Sequence, residues 1–334
     1  MGTRRILFLP RRSLARDILS DRARSILEGL GNVVWNHTDR DFTAQELASL
    51  LPGTEAVVTS WGAPAFSPEL LAFADRLRIV GHAAGSVKHL MPKEGYDRGI
   101  VVLSAARVIA DAVAEYTLWA MLTMQRELCL YEPLMREKRG WKTAAEGFGH
   151  ELYYKRIGVV GVSLVGRKVI ELLRPFACEV VVYDPYLNET ECRELGVRCI
   201  ALEELFATSD IVSLHAPTTA ETERMIDARH FQVMKDRALF INTARAWIVD
   251  QAAMLATLRS GRIRAVLDVF DCEPLPVDDE LRDLDNVLLT PHIAGHSMES
   301  RRRLVEAIAT DMQRFFAGQT LRLAVVWDRL RIMA

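Results

Sequence analysis

The chain has 334 residues, and 42 Lys plus Arg against 44 Asp plus Glu leave a formal net charge of −2. At about 150 residues per domain this length predicts roughly two domains, each large enough to bury a core without covalent staples. A near-neutral chain that is 50% hydrophobic and 26% charged has no global attraction for nucleic acid or anionic lipid, and its composition excludes disordered and collagenous classes.

The first hundred residues alternate strand and helix. Residues 5–9 form a short apolar run that predicts a strand. Residues 15–30 place Ile18, Ala23, Ile26, Leu27 and Leu30 at helical spacing and stop at Gly31. A strand is expected at 33–36. Thr43 with Glu46 three residues on makes a capping box for the next helix. Strands at 56–60, 77–82 and 100–103 follow, with a helix over 67–76 that opens on Pro68. Such alternation predicts a parallel sheet. A long helix spans 111–126, with Val113, Tyr116, Thr117, Ala120, Met121 and Met124 on its inner face. Residues 131–150, with Gly140, Gly147 and Gly149, read as a connecting arm.

A second α/β unit starts at Arg156. Strands are expected at 157–162, 179–184, 210–215, 238–242, 264–269 and 287–290. Helices fall at 165–176, 202–207 and 250–259, and a last helix covers 300–316. The most apolar long stretch, 108–124, contains Asp111 and Glu115 and falls short of a membrane span. The arginines at 4, 5, 11, 12 and 16 precede Asp17 and Asp21, so the N-terminus reads as the start of the fold and a cytoplasmic location is expected. Cys129, Cys178, Cys192, Cys199 and Cys272 are odd in number and include no C-x-x-C pair. Most are expected to be inert core or surface thiols, with neither a disulfide framework nor a zinc site.

Chemistry concentrates in the second unit. Gly158, Gly161, Ser163 and Gly166 lie between a strand and a helix in a near match to G-x-G-x-x-G, with Ser163 in the middle glycine's place. In that motif the turn brings backbone to a pyrophosphate, and the helix N-terminus, here Leu164, Val165 and Gly166, supplies N–H groups. Asp184 ends the next strand, 23 residues after Gly161. A carboxylate there accepts hydrogen bonds from an adenosine ribose and repels a 2′-phosphate, which favours NAD over NADP. Arg245, Glu273 and His292 each follow a predicted strand end, where parallel sheets place their ligand sites. Reduction of a ketone by NADH needs a proton donor for the alkoxide. Histidine suits that role, since its ordinary pKa is near 6.5 and a neighbouring carboxylate favours its acid form. Arginine grips a carboxylate with two parallel hydrogen bonds.

Several stretches in order carry a resemblance: Leu214-His215-Ala216-Pro217, Ile241-Asn242-Thr243-Ala244-Arg245, Leu267-Asp268, Glu273-Pro274 and Leu289-Thr290-Pro291-His292. The chain resembles the D-2-hydroxyacid dehydrogenase family over roughly 105–297, and loosely over the first hundred residues. The resemblance implies an α/β architecture of two Rossmann-like, flavodoxin-like domains with parallel sheets and the active site in the cleft between them. It implies a discontinuous substrate domain of 1–104 plus 293–334 and an NAD-binding domain of 105–292. Arg245 would orient substrate, His292 would be the general acid/base and Glu273 its partner. Asp268 would bond the nicotinamide carboxamide, and His215, Ala216, Pro217, Thr243 and Ala244 would line the cofactor. A homodimer through the nucleotide domain and the arm is implied as well. In the first half the matching turn is Ala84-Gly85-Ser86, whose N–H groups would form a nest for the substrate carboxylate. Lys88 is expected to add a positive charge for a second anionic group, and Trp61 to line the pocket or the core.

The chain departs from the family pattern at Ser163, at Tyr154, and at Ala246-Trp247, where a glycine usually follows the arginine. The expected activity is reversible NAD(H)-dependent reduction of a 2-keto acid to a D-2-hydroxy acid, resembling glyoxylate and hydroxypyruvate reductases or phosphoglycerate dehydrogenases. The rival reading is an NAD-sensing scaffold like the family's co-repressors. Formate or phosphite oxidation is a third, and Glu273 argues against the formate branch, whose members typically carry Gln there.

Overall fold

A computed structural model of the protein describes residues 4–143 and 148–330. Among them, the residues up to Ala110 and from His296 onward form one compact unit, and Asp111–Gly295 forms another. Residues 144–147 of the expected arm, Gly147 included, lie outside the described residues.

The first unit begins β1 (Arg5–Phe8), α1 (Arg12–Ile18), α2 (Asp21–Leu30), β2 (Asn32–Trp35), α3 (Ala44–Leu50), β3 (Ala56–Thr59), α4 (Pro68–Leu71), β4 (Ile79–His82), α5 (Lys93–Asp97) and β5 (Val101–Ser104). The capping box forms at α3, with Thr43 and Glu46 exchanging bonds. The helix expected over 15–30 is two helices. Leu19 is extended and the Ser20 side chain accepts from Ala23 N–H, so a new helix starts at Asp21. The helix expected over 67–76 stops at Leu71. The Arg98 guanidinium takes the carbonyls of Leu71 and Ala74, which a continuing helix would use.

From α6 (Ala106–Gln125) and α7 (Leu128–Arg136) the chain enters the second sheet. Its elements are β6 (Arg156–Val160), α8 (Leu164–Leu173), β7 (Glu179–Tyr183), α9 (Glu189–Leu195), β8 (Arg198–Cys199), α10 (Leu202–Thr208), β9 (Ile211–Leu214), α11 (Ala228–Val233), β10 (Leu239–Asn242), α12 (Gln251–Arg259), β11 (Arg264–Leu267) and β12 (Val287–Leu289). The chain then returns to the first unit as α13 (Met298–Phe316), β13 (Ala324–Val325) and α14 (Trp327–Leu330). The start of the expected arm is helical, as α7. β8 and β13 were too short to show as strands in the sequence.

The first sheet runs β2-β1-β3-β4-β5-β13, the flavodoxin order with one strand added. The five strands from β1 to β5 are parallel, as expected, and the added strand is antiparallel, with Ala324 facing Leu103. Its position is set by Asp311, a buried carboxylate on α13 that accepts from the N–H groups of Arg322 and Leu323, both at 2.7 Å. Side chains alternate across the sheet. Ile6 and Phe8 meet Leu304, Val305, Ile308 and Met312 of α13 on one face. Leu7, Val57, Val80 and Val102 meet Leu47, Leu70 and Leu90 on the other. Truncating a buried residue such as Ile308 to Ala costs about 2–5 kcal/mol.

The second sheet runs β8-β7-β6-β9-β10-β11-β12, all parallel. This is the Rossmann order, 3-2-1-4-5-6 within the unit, with one more strand beyond. Its central strands are buried on both faces, which explains their unbroken apolar runs. The order reverses between β6 and β9, so ligands are expected at the carboxyl ends of those two strands.

One cysteine expectation is corrected. Cys192 and Cys199 form a disulfide with their Cα atoms 6.4 Å apart. The turn after α9 brings β8 back alongside the helix, and no spacing rule in the sequence marks that approach. Cys129, Cys178 and Cys272 are thiols. No helix among the described residues is long and apolar enough to cross a membrane.

Candidate active site

The glycine turn leaves β6 at the switch point and enters α8. Gly161 has φ +89°, and a Cβ there would fall 2.5 Å from the backbone of Ala216, in the loop after β9. A Cβ on Gly166 would fall 2.2 Å from the Gly161 carbonyl oxygen. Both positions therefore demand glycine, and the two loops close on each other without side chains between them. Ser163 is the N-cap of α8 but does not cap it. Its hydroxyl donates instead to the His215 carbonyl at 2.9 Å. The serine is thus turned under the neighbouring loop, and the N–H groups of Leu164, Val165 and Gly166 stay open at the helix terminus. That open terminus against a side-chain-free turn fits a dinucleotide pyrophosphate.

The Asp184 carboxylate accepts from Val162 N–H at 2.7 Å and Tyr186 N–H at 2.9 Å. It braces the glycine turn from the end of β7, and each oxygen keeps a lone pair for a ribose hydroxyl. The His215 ring is buried and bonds to the Ser213 hydroxyl at 2.9 Å, so its backbone frames the turn while its imidazole is part of the core.

The candidate reactive groups follow β10, β11 and β12. Asn242 folds the first loop, its amide donating to the Arg245 carbonyl at 3.1 Å and its oxygen accepting from Ala244 N–H at 3.0 Å. Surrounding protein lowers the Arg245 guanidinium from its ordinary range, with the Glu273 carboxylate opposing that. Glu273 accepts from Phe270 N–H at 3.0 Å, and its other oxygen lies 2.7 Å from Nδ1 of His292. Burial pushes the Glu273 carboxyl up, but the hydrogen bonds from His292 and Phe270 and the charges of His292 and Arg245 outweigh it and hold it below the usual range. An ionised carboxylate only accepts, so Nδ1 of His292 carries the donated proton and Nε2 is the nitrogen left for a substrate. A hollow of about 580 Å³ opens beside the pair, lined by Phe270, Leu275, Arg282 and Leu289.

His292 has φ +54°, a left-handed conformation that costs a non-glycine residue about 1–2 kcal/mol. Asp268 holds it there. The buried carboxylate accepts from the Thr290 hydroxyl and from the N–H groups of Ile293 and Ala294.

Residues 118–294 match the D-isomer specific 2-hydroxyacid dehydrogenase, NAD binding domain. A glyoxylate reductase from Korarchaeum cryptofilum is 35% identical over 255 residues, 75% of this chain and 76% of that protein. The chain belongs to the D-isomer-specific 2-hydroxyacid dehydrogenase family. Its cofactor is NAD. A D-3-phosphoglycerate dehydrogenase from Methanocaldococcus jannaschii is 30% identical over 308 residues, 92% of this chain but 57% of that protein. The dehydrogenase chain thus spans little more than half the length of that relative. Among solved structures, a phosphoglycerate oxidoreductase from Rhizobium etli matches with a TM-score of 0.82 at 26% identity, covering 96% of this chain and 98% of that one.

In the dehydrogenase's first unit, the turn after β4 is held by the Ser104 hydroxyl, which donates to the Gly85 carbonyl at 2.6 Å. The N–H groups of Ala84, Gly85, Ser86 and Val87 have no partner among the described residues. Lys88, half-buried, lines a hollow of about 580 Å³ with Trp327, Asp328 and Leu330. Trp61 is 43% exposed, with the Arg301 guanidinium 5.3 Å from its ring centre, so it is no core residue. Helical spacing alone puts Tyr116 and Thr117 on the inner face of α6 and gives them no part in the site. Tyr116 bonds to Thr290 and Thr117 to Thr243, contacts for which residues so far apart in sequence carry no signal.

Proposed function

We propose that the protein reduces a small 2-keto acid to the D-2-hydroxy acid, reversibly, with NADH. The observation that carries this reading is the 2.7 Å contact between His292 and Glu273, with the Arg245 charge felt at the Glu273 carboxylate. Bound NADH supplies the hydride to C2. The Arg245 guanidinium grips the substrate carboxylate and polarises the adjacent carbonyl through parallel N–H bonds. His292 donates the Nε2 proton to the oxygen as charge develops on it, and Glu273 stabilises the imidazolium and fixes the ring through Nδ1. In the reverse direction His292 is the base. Asp184 favours NAD because its carboxylate repels a 2′-phosphate.

The backbone nest at 84–87 and Lys88 are offered as the substrate's anion contacts. Trp119, Leu128, Leu130, Met135, Tyr153 and Tyr154 are exposed on and near α6 and α7, and they support a homodimer through this face. Light scattering on the purified protein tests that assembly. The substrate is tested by following NADH oxidation with glyoxylate, hydroxypyruvate, pyruvate, branched and aromatic 2-keto acids, and dicarboxylates. Turnover of glyoxylate or hydroxypyruvate is expected. Tight NADH binding with no turnover on the whole panel supports the scaffold reading instead.

A further inference from the structure

The Asp268 carboxylate accepts from one loop on both sides of His292. Thr290 Oγ1 at 2.6 Å and Ile293 N–H at 2.8 Å meet Oδ1, and Ala294 N–H at 2.8 Å meets Oδ2. A threonine hydroxyl has one proton, and Thr290 gives it to the carboxylate, which has none to offer. The 2.6 Å contact between Thr290 Oγ1 and the Tyr116 hydroxyl therefore has one direction: the phenol donates. Burial pushes that phenol up to about 12, so it keeps its proton at working pH.

The next residue on α6 repeats the arrangement. Thr117 donates to the Val113 carbonyl at 2.8 Å, so across the 3.3 Å contact with Thr243 it accepts. Thr290 lies two residues before His292, and Thr243 two residues before Arg245. One turn of α6 thus reaches the strand ends that carry both groups.

We propose that Tyr116 is a positioning residue for His292, its phenol holding the Thr290 hydroxyl on Asp268 and so keeping the histidine loop in its turned conformation. The inference rests on His292 being the proton donor of the reading above.

Tyr116→Phe keeps the ring against Trp119, 5.0 Å away, and removes only the donor. In the protein without cofactor, hydrogen–deuterium exchange of the segment 289–295 is expected to quicken by about three- to tenfold, the effect of losing one net hydrogen bond. That readout does not depend on knowing the substrate. With NADH and glyoxylate, kcat should fall on the order of fivefold with KM changed less than about twofold, and the alkaline limb of the kcat–pH profile, where a proton donor is lost, should shift. Thr290→Val should cause a similar loss, and the double variant no more than the larger single loss. Unchanged exchange of 289–295 in Tyr116→Phe overturns the proposal, as do losses that multiply in the double variant. If the wild-type protein turns over no keto acid while Tyr116→Phe still quickens loop exchange, the proposed function fails and the role of Tyr116 in holding the loop is upheld.

Discussion

Ser163 donates its hydroxyl proton to the carbonyl of His215, at 2.9 Å, across the switch point of the second sheet. The residue that stands in the middle glycine's place is thus a link between the two loops that frame the turn. Ser163→Gly is therefore expected to change the NADH dissociation constant by less than about threefold, since neither side chain meets the pyrophosphate position. Fluorescence titration with NADH checks this, and a tenfold tightening would show that the serine obstructs.

Asp184 is the more sensitive position. Asp184→Ala removes both the ribose acceptor and the brace on Val162 N–H. NADH affinity should fall by roughly tenfold or more, with charge-assisted hydrogen bonds contributing about 1.5–3 kcal/mol. The preference for NADH over NADPH should narrow. An unaltered preference between the two cofactors would remove Asp184 from nucleotide selection.

His292→Ala removes the proposed proton donor but leaves the glycine turn untouched. A general acid contributes about 10²–10⁴-fold, so kcat should drop by at least about 10² with NADH binding within a few-fold of wild type. Wild-type-like turnover would assign the proton to another group.

The Glu273 carboxyl is held below its ordinary range, by bonds from His292 and Phe270 that overcome burial. A lowered folded value means the ionised form stabilises the fold above the ordinary carboxylate pKa, and that contribution is lost as pH falls through the folded value. The melting temperatures of wild type and Glu273→Gln should therefore differ at pH 7 and begin to converge only as pH falls below the ordinary carboxylate value of about 4.3. A constant difference from pH 7 to 3 would contradict the linkage.

Two buried histidines set a second pH dependence. Burial pushes His82 down to about 4 and His215 down to about 3. Unfolded, each imidazole takes a proton near 6.5. Between those values the unfolded chain binds more protons, so stability is full above about pH 6.5 and declines as pH drops toward 4. The His82 contribution is on the order of 3 kcal/mol by the lower end. Thermal melts from pH 7.5 to 4.5 should show the decline, and His82→Gln should flatten it. A slope unaffected by that substitution would place the titration elsewhere.

Local rules made much of this protein legible in its sequence. Thr43 and Glu46 cap a helix because both bonds close within one turn. The β9, β10 and β11 runs read as strands because both faces are buried. The glycine turn, Asp184, Arg245, Glu273 and His292 stood out because each pairs a residue type with the end of a strand, where the sheet order leaves room for a ligand. What the tertiary structure decided are contacts that no local pattern of spacing or capping marks. The Tyr116–Thr290 bond spans 174 positions. The Cys192–Cys199 bridge depends on a turn that folds an edge strand back beside a helix. The antiparallel β13 depends on one buried carboxylate, Asp311. Periodicity and capping report energies within a few residues, whereas the direction of a hydroxyl proton or the seat of a buried carboxylate depends on which distant group arrives beside it. The sequence could mark His292 as a candidate proton donor; only the packed strand ends show how its strained turn is held.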